Sequence, residues 1–160
     1  MRAVRRALPW SLVYSYVLAL LFTADREQIV LMEKTRPAWQ AGRVNALGGK
    51  LRAGETAQEA ARREVREEAG VDVAAWDPVL VWHDAQYTMH IVRAFDDAAL
   101  RARTAEDQRV FRAAVGNLPA NVIDNLRWLV PLALDRDVAL PIDVRSASPT
   151  GSGLTEPPPE

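Results

Sequence analysis

Between positions 49 and 71 the chain reads GKLRAGETAQEAARREVREEAGV, from Gly49 to Val71, and this stretch decides the fold. Its centre is a helix with both ends written into it. Thr56-Ala57-Gln58-Glu59 has capping-box form, in which a threonine hydroxyl accepts from the third helical N–H while the glutamate reaches back to the threonine N–H. Ala57, Ala61 and Val65 recur every four residues as one apolar stripe, and Gly70 stands where a helix end favours a left-handed residue. Glu64, Glu67 and Glu68 fall at i, i+3 and i+4, so these carboxylates share one helical face and repel one another unless positive charge sits among them. A divalent cation meets that need; a solvated face balanced by Arg62, Arg63 and Arg66 is the alternative.

Upstream of this helix, Thr35 to Gly49 is loop-like through Pro37, Gly42, Gly48 and Gly49, with Arg43 to Leu47 as a candidate short strand. Before it, Leu12 to Thr23 and Gln28 to Glu33 read as strands joined by the polar turn Asp25-Arg26-Glu27, a hairpin laid into a sheet. Arg2, Arg5 and Arg6 ahead of the apolar run imitate a secretory signal. Tyr14, Ser15, Tyr16 and Thr23 interrupt that run, no small-x-small cleavage site follows, and it is too short for a membrane span, so a buried strand explains it better. Downstream, Val79 to Asp84 and Tyr87 to Phe95 read as paired strands, and Arg109 to Val115 as a further one. Ile123 to Asp135 is predicted as a second helix with Leu126, Leu129, Val130 and Leu134 on one side and Pro131 shortening or kinking it. Ser146 to Glu160 holds four prolines, three serines and two glycines but one leucine, the composition of a disordered tail after a single domain spanning residues 1–145.

Composition narrows the function classes. The 160 residues, 49% hydrophobic, suit one core, and 20 Lys and Arg against 21 Asp and Glu leave a formal charge of −1. No basic field is available for a nucleic-acid polymer or an acidic membrane. The absence of cysteine excludes disulfides, thiolate zinc sites and cysteine nucleophiles, and suits a reducing, cytoplasmic setting. His83 and His90 are the only histidines, so a catalytic metal would be held by carboxylate oxygens, which favour Mg²⁺, with Mn²⁺ as the alternative.

The spacing Gly49, Glu55, then Arg63-Glu64-Val65-Arg66-Glu67-Glu68-Ala69-Gly70-Val71 resembles the box of the Nudix hydrolase family, with every specified position matched. The resemblance implies an α/β fold, an α/β/α sandwich around a mixed curved sheet, and hydrolysis of a nucleoside diphosphate linked to another moiety. It implies that Glu64, Glu67 and Glu68 hold Mg²⁺ with the Gly49 carbonyl, that Arg63 orients a box glutamate, and that Glu55 supports a second metal or the loop. For Arg63 and Glu55 a structural salt bridge is the competing role. The base that activates water is, in such enzymes, either a box glutamate or an acid on a loop before a late strand; Glu106 and Asp107 are the loop candidates here, with Asp96 and Asp97 weaker ones.

Trp39 to Lys50, WQAGRVNALGGK, resembles the corresponding stretch of MutT-like enzymes that hydrolyse oxidised purine nucleoside triphosphates to a monophosphate and pyrophosphate. That likeness implies that Asn45 hydrogen-bonds the base, that Trp39 lines the base pocket, and that Lys50 lies beside the substrate. Asp124-Asn125 resembles a paired-acid signature for the purine edge, with Asn125 replacing the second acid and Val122 standing where those relatives have a stacking tryptophan. These departures count against strict oxidised-guanine specificity. Asn45 as a turn or strand-end amide, Asp124 as a helix N-cap and Trp39 as plain core or loop packing are the competing roles. Tyr87, sixteen residues past the box, resembles a mark of dinucleoside polyphosphate hydrolases and keeps that substrate class open. A catalytically silent nucleotide-binding domain is a third reading, opposed by the intact glutamates. The expected assembly is a monomer or homodimer acting on a small nucleotide.

Overall fold

A computed structural model describes residues 14–147. Arg2, Arg5, Arg6, the first two residues of the Leu12 strand and most of the proposed tail lie outside the described residues. Alternation of apolar residues along β1 (Tyr14–Phe22) sends side chains to both faces of a sheet, and both faces are buried. Val17, Ala19 and Leu21 join Ala60, Ala61, Val65 and Ala69 of α1 (Ala57–Ala69); Leu18, Leu20 and Phe22 join Leu126, Leu129, Val130 and Ala133 of α2 (Leu126–Leu134). One helix therefore covers each face, giving the expected sandwich.

The remaining strands are β2 (Gln28–Glu33), β3 (Val44–Asn45), β4 (Leu47–Lys50), β5 (Asp77–His83), β6 (Tyr87–Phe95), β7 (Val110–Ala114) and β8 (Ile142–Arg145). Their order is β3-β2-β1-β6-β5-β8, with β4 added to β1 and β7 to β2. The sheet is mixed: β1 runs parallel to β6 and β5 parallel to β8, while the other pairs are antiparallel.

The expected hairpin forms only at its base. The turn is present, with the Asp25 carboxylate accepting from Glu27 N–H at 3.0 Å, but β1 and β2 share the single register pair Phe22↔Ile29. Beyond it the two strands part, because β4 takes the same edge of β1 through Tyr16↔Lys50 to Ala19↔Leu47. This substitution positions the site: it brings Gly48 and Gly49 against β1 and under α1. Gly48 has φ +148°, and a Cβ there would lie 2.0 Å from the Val17 carbonyl oxygen, so the close strand approach requires glycine.

The second helix begins at Leu126, three residues later than its apolar pattern predicts. Ile123 N–H donates to Val44 O at 2.8 Å and Val122 bridges Val44 in parallel, so strand-like pairing to β3 claims the backbone that periodicity assigns to the helix. Pro131 neither ends nor shortens α2 before Leu134. Both Pro131 and Arg127, whose carbonyl loses its helical donor, are exposed, so water satisfies that carbonyl. Strand β8 has no counterpart in the expected elements, and hydrogen bonding to β5 continues past its end into the first residue of the proposed tail: Ser146 N–H donates to His83 O at 2.9 Å and Ser146 Oγ accepts from the Trp82 indole at 2.8 Å. Four residues carry too short a pattern to announce an edge strand.

Candidate active site

The capping box exists as spelled: Thr56 Oγ1 accepts from Glu59 N–H at 3.2 Å and Glu59 accepts from Thr56 N–H at 2.8 Å, while Gly70 closes α1 in the left-handed conformation. With both ends fixed, the polar face of α1 lies over β4. The Glu64 carboxylate occupies the space above Gly49, where a Cβ would stand 2.5 Å from Oε1. Glu68 is buried and accepts from Gly48 N–H at 3.0 Å. Two consecutive glycines thus admit two consecutive faces of the glutamate cluster.

Arg63 is the organising cation. It forks onto Glu55 at 2.7 and 2.9 Å, donates to Glu64 Oε1 at 2.6 Å and to Glu67 Oε2 at 3.3 Å, and reaches the Lys50 carbonyl at 3.1 Å. Its side chain is 15% exposed and those of Glu55 and Glu64 are 13% and 14% exposed, so these are enclosed, multiply bonded charges rather than surface pairs. Arg52 adds a bond to Glu67 at 3.3 Å and gives its N–H to Glu55 at 2.9 Å. Arg63 therefore makes the salt bridge with Glu55 that was the competing reading, and also bonds Glu64 and Glu67, with Glu55 as its main anchor.

The electrostatics separate the glutamates. The Arg63 fork holds Glu55 ionised, with a pKa lowered to about 2. Burial raises Glu68 to about 8, offset by the Gly48 N–H and increased by the charge of Glu64. Glu64 is also raised by burial, against the pull of Arg63. Lys34, at the end of β2, is lowered by burial while Glu68 and Glu64 support its charge.

Among the described residues no group of three or more His, Cys, Asp or Glu side chains converges as a ready cation site. The donor set nevertheless suits a hard cation. Glu64 and Glu68 are enclosed carboxylates, the charge of Glu64 adds to the proton affinity of Glu68, and Gly49 leaves the Glu64 carboxylate the space above it.

The loop candidates divide. Asp107 is forked by Arg36, with one contact at 3.1 Å, and is lowered by that pairing. Glu106 is exposed, and its charge is felt by both Glu64 and Glu68. Asp96 caps the short 3-10 helix Asp97–Arg101 through Ala98 N–H at 2.7 Å, and Asp97 accepts from Ala24 N–H at 3.0 Å, so both have structural tasks.

The residues proposed to face the base meet at β3. Asn45 Oδ1 accepts from Ala46 N–H at 2.8 Å and its Nδ2 donates to Gln40 at 3.2 Å, next to Trp39, which is 46% exposed on a short 3-10 helix (Ala38–Gln40). Asp124 pairs with Arg43 at 2.9 Å, and Asn125, not Asp124, is the α2 N-cap residue; it makes no side-chain cap bond, and its Oδ1 is buried without a partner. The pairing of Val44 with residues 121–123 holds Asp124 and Asn125 beside β3. Lys50 and Tyr87 lie elsewhere, at the Tyr14 end of β1: Lys50 Nζ sits 3.7 Å over the Tyr14 ring, and Tyr87 meets Tyr16 edge-on at 6.4 Å.

Three participants escape sequence reasoning. Trp128 is 42% exposed and packs on Trp82 at 6.0 Å; Lys34 stands among the acids; Arg43 ties β3 to Asp124. A tryptophan on the face of α2 opposite its buried stripe is the one signal of this kind a helical projection could have flagged.

Comparison with known proteins bears on the family and the fold. The NUDIX domain model matches residues 15–144. An oxidized purine nucleoside triphosphate hydrolase of Danio rerio is 41% identical over 59 residues, which make up 37% of this chain and 37% of that protein. The Mus musculus protein of the same description is 40% identical over 63 residues, 39% of this chain and 37% of that one. The chain thus matches well under half the length of these curated relatives. The crystal structure of a MutT NUDIX hydrolase from Burkholderia pseudomallei superposes with a TM-score of 0.62 at 20% identity, over 74% of this chain and 96% of that one, a likeness of fold.

Proposed function

The chain belongs to the NUDIX domain family, and on that premise we propose that it is a Mg²⁺-dependent hydrolase of purine nucleoside triphosphates, oxidised ones included, releasing a monophosphate and pyrophosphate. One observation carries the reading: α1 is docked on β4 by Gly48 N–H to Glu68, Gly49 under Glu64 and Lys50 O to Arg63, so the whole acidic face is set beside the strand that continues from Asn45. The purine preference is supported by the two oxidized purine nucleoside triphosphate hydrolases above and by the grouping of Asn45, Trp39, Asp124 and Asn125.

Glu64, Glu67 and Glu68, with the Gly49 carbonyl, would hold Mg²⁺, which supplies charge neutralisation for the diphosphate and a lowered pKa for bound water. Arg63 keeps Glu64 and Glu67 turned to one side, and Glu55 keeps Arg63 in place. Glu106 would be the loop carboxylate available to accept the water's proton, because Asp107 is committed to Arg36. Asn45 presents its remaining N–H to the base, and Trp39 offers a face for it. A cytoplasmic location would suit an enzyme that acts on free nucleotides; among the described residues no helix is long and apolar enough to cross a membrane.

The test is a kcat/KM panel of ordinary and oxidised purine and pyrimidine triphosphates, dinucleoside polyphosphates and ADP-ribose, with Mg²⁺ and with chelator. Oxidised or ordinary purine triphosphates should lead, and chelator should abolish turnover. Dinucleoside polyphosphates leading would transfer the base-binding role to Tyr87 and Tyr16; no turnover at all would leave a silent binding domain.

A further inference from the structure

An exposed carboxylate on an irregular loop needs something to keep it beside a buried acidic cluster. The loop from Ala102 to Arg109 is anchored on two sides. On one, Arg103 N–H donates to Ala69 O and Ala105 N–H to Glu68 O, both at 3.1 Å, which satisfies two last-turn carbonyls of α1 that lack helical donors. On the other, Gln108 accepts from Thr35 N–H through Oε1 at 2.9 Å, and Arg36 forks onto Asp107. Thr104 Oγ1 closes the foot of the loop by accepting from Val110 N–H at 2.9 Å. Glu106 lies between them, next to Ala105 on one side and to Asp107 on the other, and two residues before Gln108.

These anchors are unequal. The Arg36 and Asp107 side chains are 59% and 64% exposed, so water and salt compete for that pair. Gln108 is 5% exposed, one of only three buried polar or charged residues among the described ones, and its partner is a backbone N–H at the point where β2 has left its ladder. Thr35 itself is exposed, so removing the acceptor would hand that N–H to water and leave nothing tying the loop to the Thr35 segment at this point. The same N–H begins the segment that carries Trp39, which makes the Gln108 contact the joint between the proposed base-binding loop and the proposed proton-accepting loop.

We propose that Gln108 is a positioning residue: its amide, clamped on the Thr35 N–H, holds Glu106 against Glu64 and Glu68 and couples that loop to the Trp39 segment. This rests on the reading of Glu106 and the box glutamates as the active site. With the clamp intact, Glu106 adds its charge to the cation-binding set; with the clamp lost, the loop is held chiefly at Arg103 and Ala105, and Glu106 moves away from that set.

The experiment is a Mn²⁺ titration followed by electron paramagnetic resonance, without nucleotide, on wild type, Gln108→Met, Glu106→Gln and the double variant. Each single variant should bind Mn²⁺ about tenfold more weakly, the size of effect seen when outer support of a metal site is removed. The double variant should bind no more weakly than Glu106→Gln, because Gln108 acts through Glu106. In parallel, Gln108→Met should lower kcat with little change in KM. Wild-type affinity in either single variant, or losses that multiply in the double, overturns the proposal. Should Gln108→Met fail to fold, Gln108→Asn, which keeps the amide and shortens its reach by one methylene, is read the same way. Because no nucleotide is present, coupled Mn²⁺ losses in a protein that hydrolyses no triphosphate would sink the substrate reading and leave the positioning role standing.

Discussion

Gly48 and Gly49 are neighbours in one strand, yet a methyl group should damage them in opposite ways. At Gly49 the new Cβ would lie 2.5, 2.6 and 2.9 Å from Glu64 Oε1, Cδ and Oε2, about 1 Å inside normal contact. Every atom struck belongs to the end of a flexible side chain, and Gly49 is not among the positive-φ glycines, so the backbone accepts alanine. Reduced freedom of the unfolded chain favours alanine by about 0.4–1 kcal/mol, while the disturbed Glu64–Arg63 pair costs about 1 kcal/mol. The two nearly cancel, and Tm should stay within about 4 °C of wild type. The carboxylate, however, is displaced by about 1 Å, and a misplacement of that size costs about 100-fold in kcat. At Gly48 the Cβ would lie 2.0 Å from the Val17 carbonyl oxygen and the residue would need φ +148°, so β4 must leave β1 at a cost of roughly 2–6 kcal/mol. Thermal melting paired with pyrophosphate release under saturating Mg²⁺ separates the two. Gly49→Ala melting as low as Gly48→Ala, or turning over at the wild-type rate, would refute the placement of Glu64.

Glu67→Gln should keep Tm nearly unchanged, since the side chain is 39% exposed, yet lower metal-dependent kcat by about 100-fold or more; unchanged kcat in a pyrophosphate assay would remove Glu67 from the site. Without metal, Glu68 titrates at about 8 in the folded protein against an ordinary value of 4.5, so the folded state binds the proton more tightly. Its contribution is complete below about pH 4.5 and is lost as pH rises toward 8, on the order of a few kcal/mol, and Mg²⁺ should restore it; melts across pH with and without Mg²⁺ that run parallel would contradict this. Asn45→Ala strands the Ala46 N–H and so should lower stability by about 1 kcal/mol, while reducing kcat/KM for purine triphosphates by about 1–3 kcal/mol and for pyrimidines far less; equal losses for all bases would make Asn45 purely structural.

The first helix was legible because its information is local. A capping box, a four-residue apolar stripe and a terminal glycine act within one or two turns, and the structure realises each at Thr56, Val65 and Gly70. Strand positions at Gln28–Glu33 and Tyr87–Phe95 were legible for a similar reason, since alternation is read along a single segment. Pairing is not local. Only the sheet could show that β4 displaces β2 from most of β1, which converts two loop glycines into the floor under Glu64 and Glu68. Only the cross-chain pairing of Val44 with Val122 could move the start of α2 past Asp124, because backbone bonds from a distant strand outbid helical periodicity. The two loop acids, adjacent and alike in the sequence, were told apart by a partner 71 residues away, the Arg36 that claims Asp107. What the sequence alone determined was which residues carry charge and how one helix begins and ends; which charges are enclosed, paired or left facing one another was decided by tertiary packing, because desolvation and hydrogen-bond partners come from segments remote along the chain.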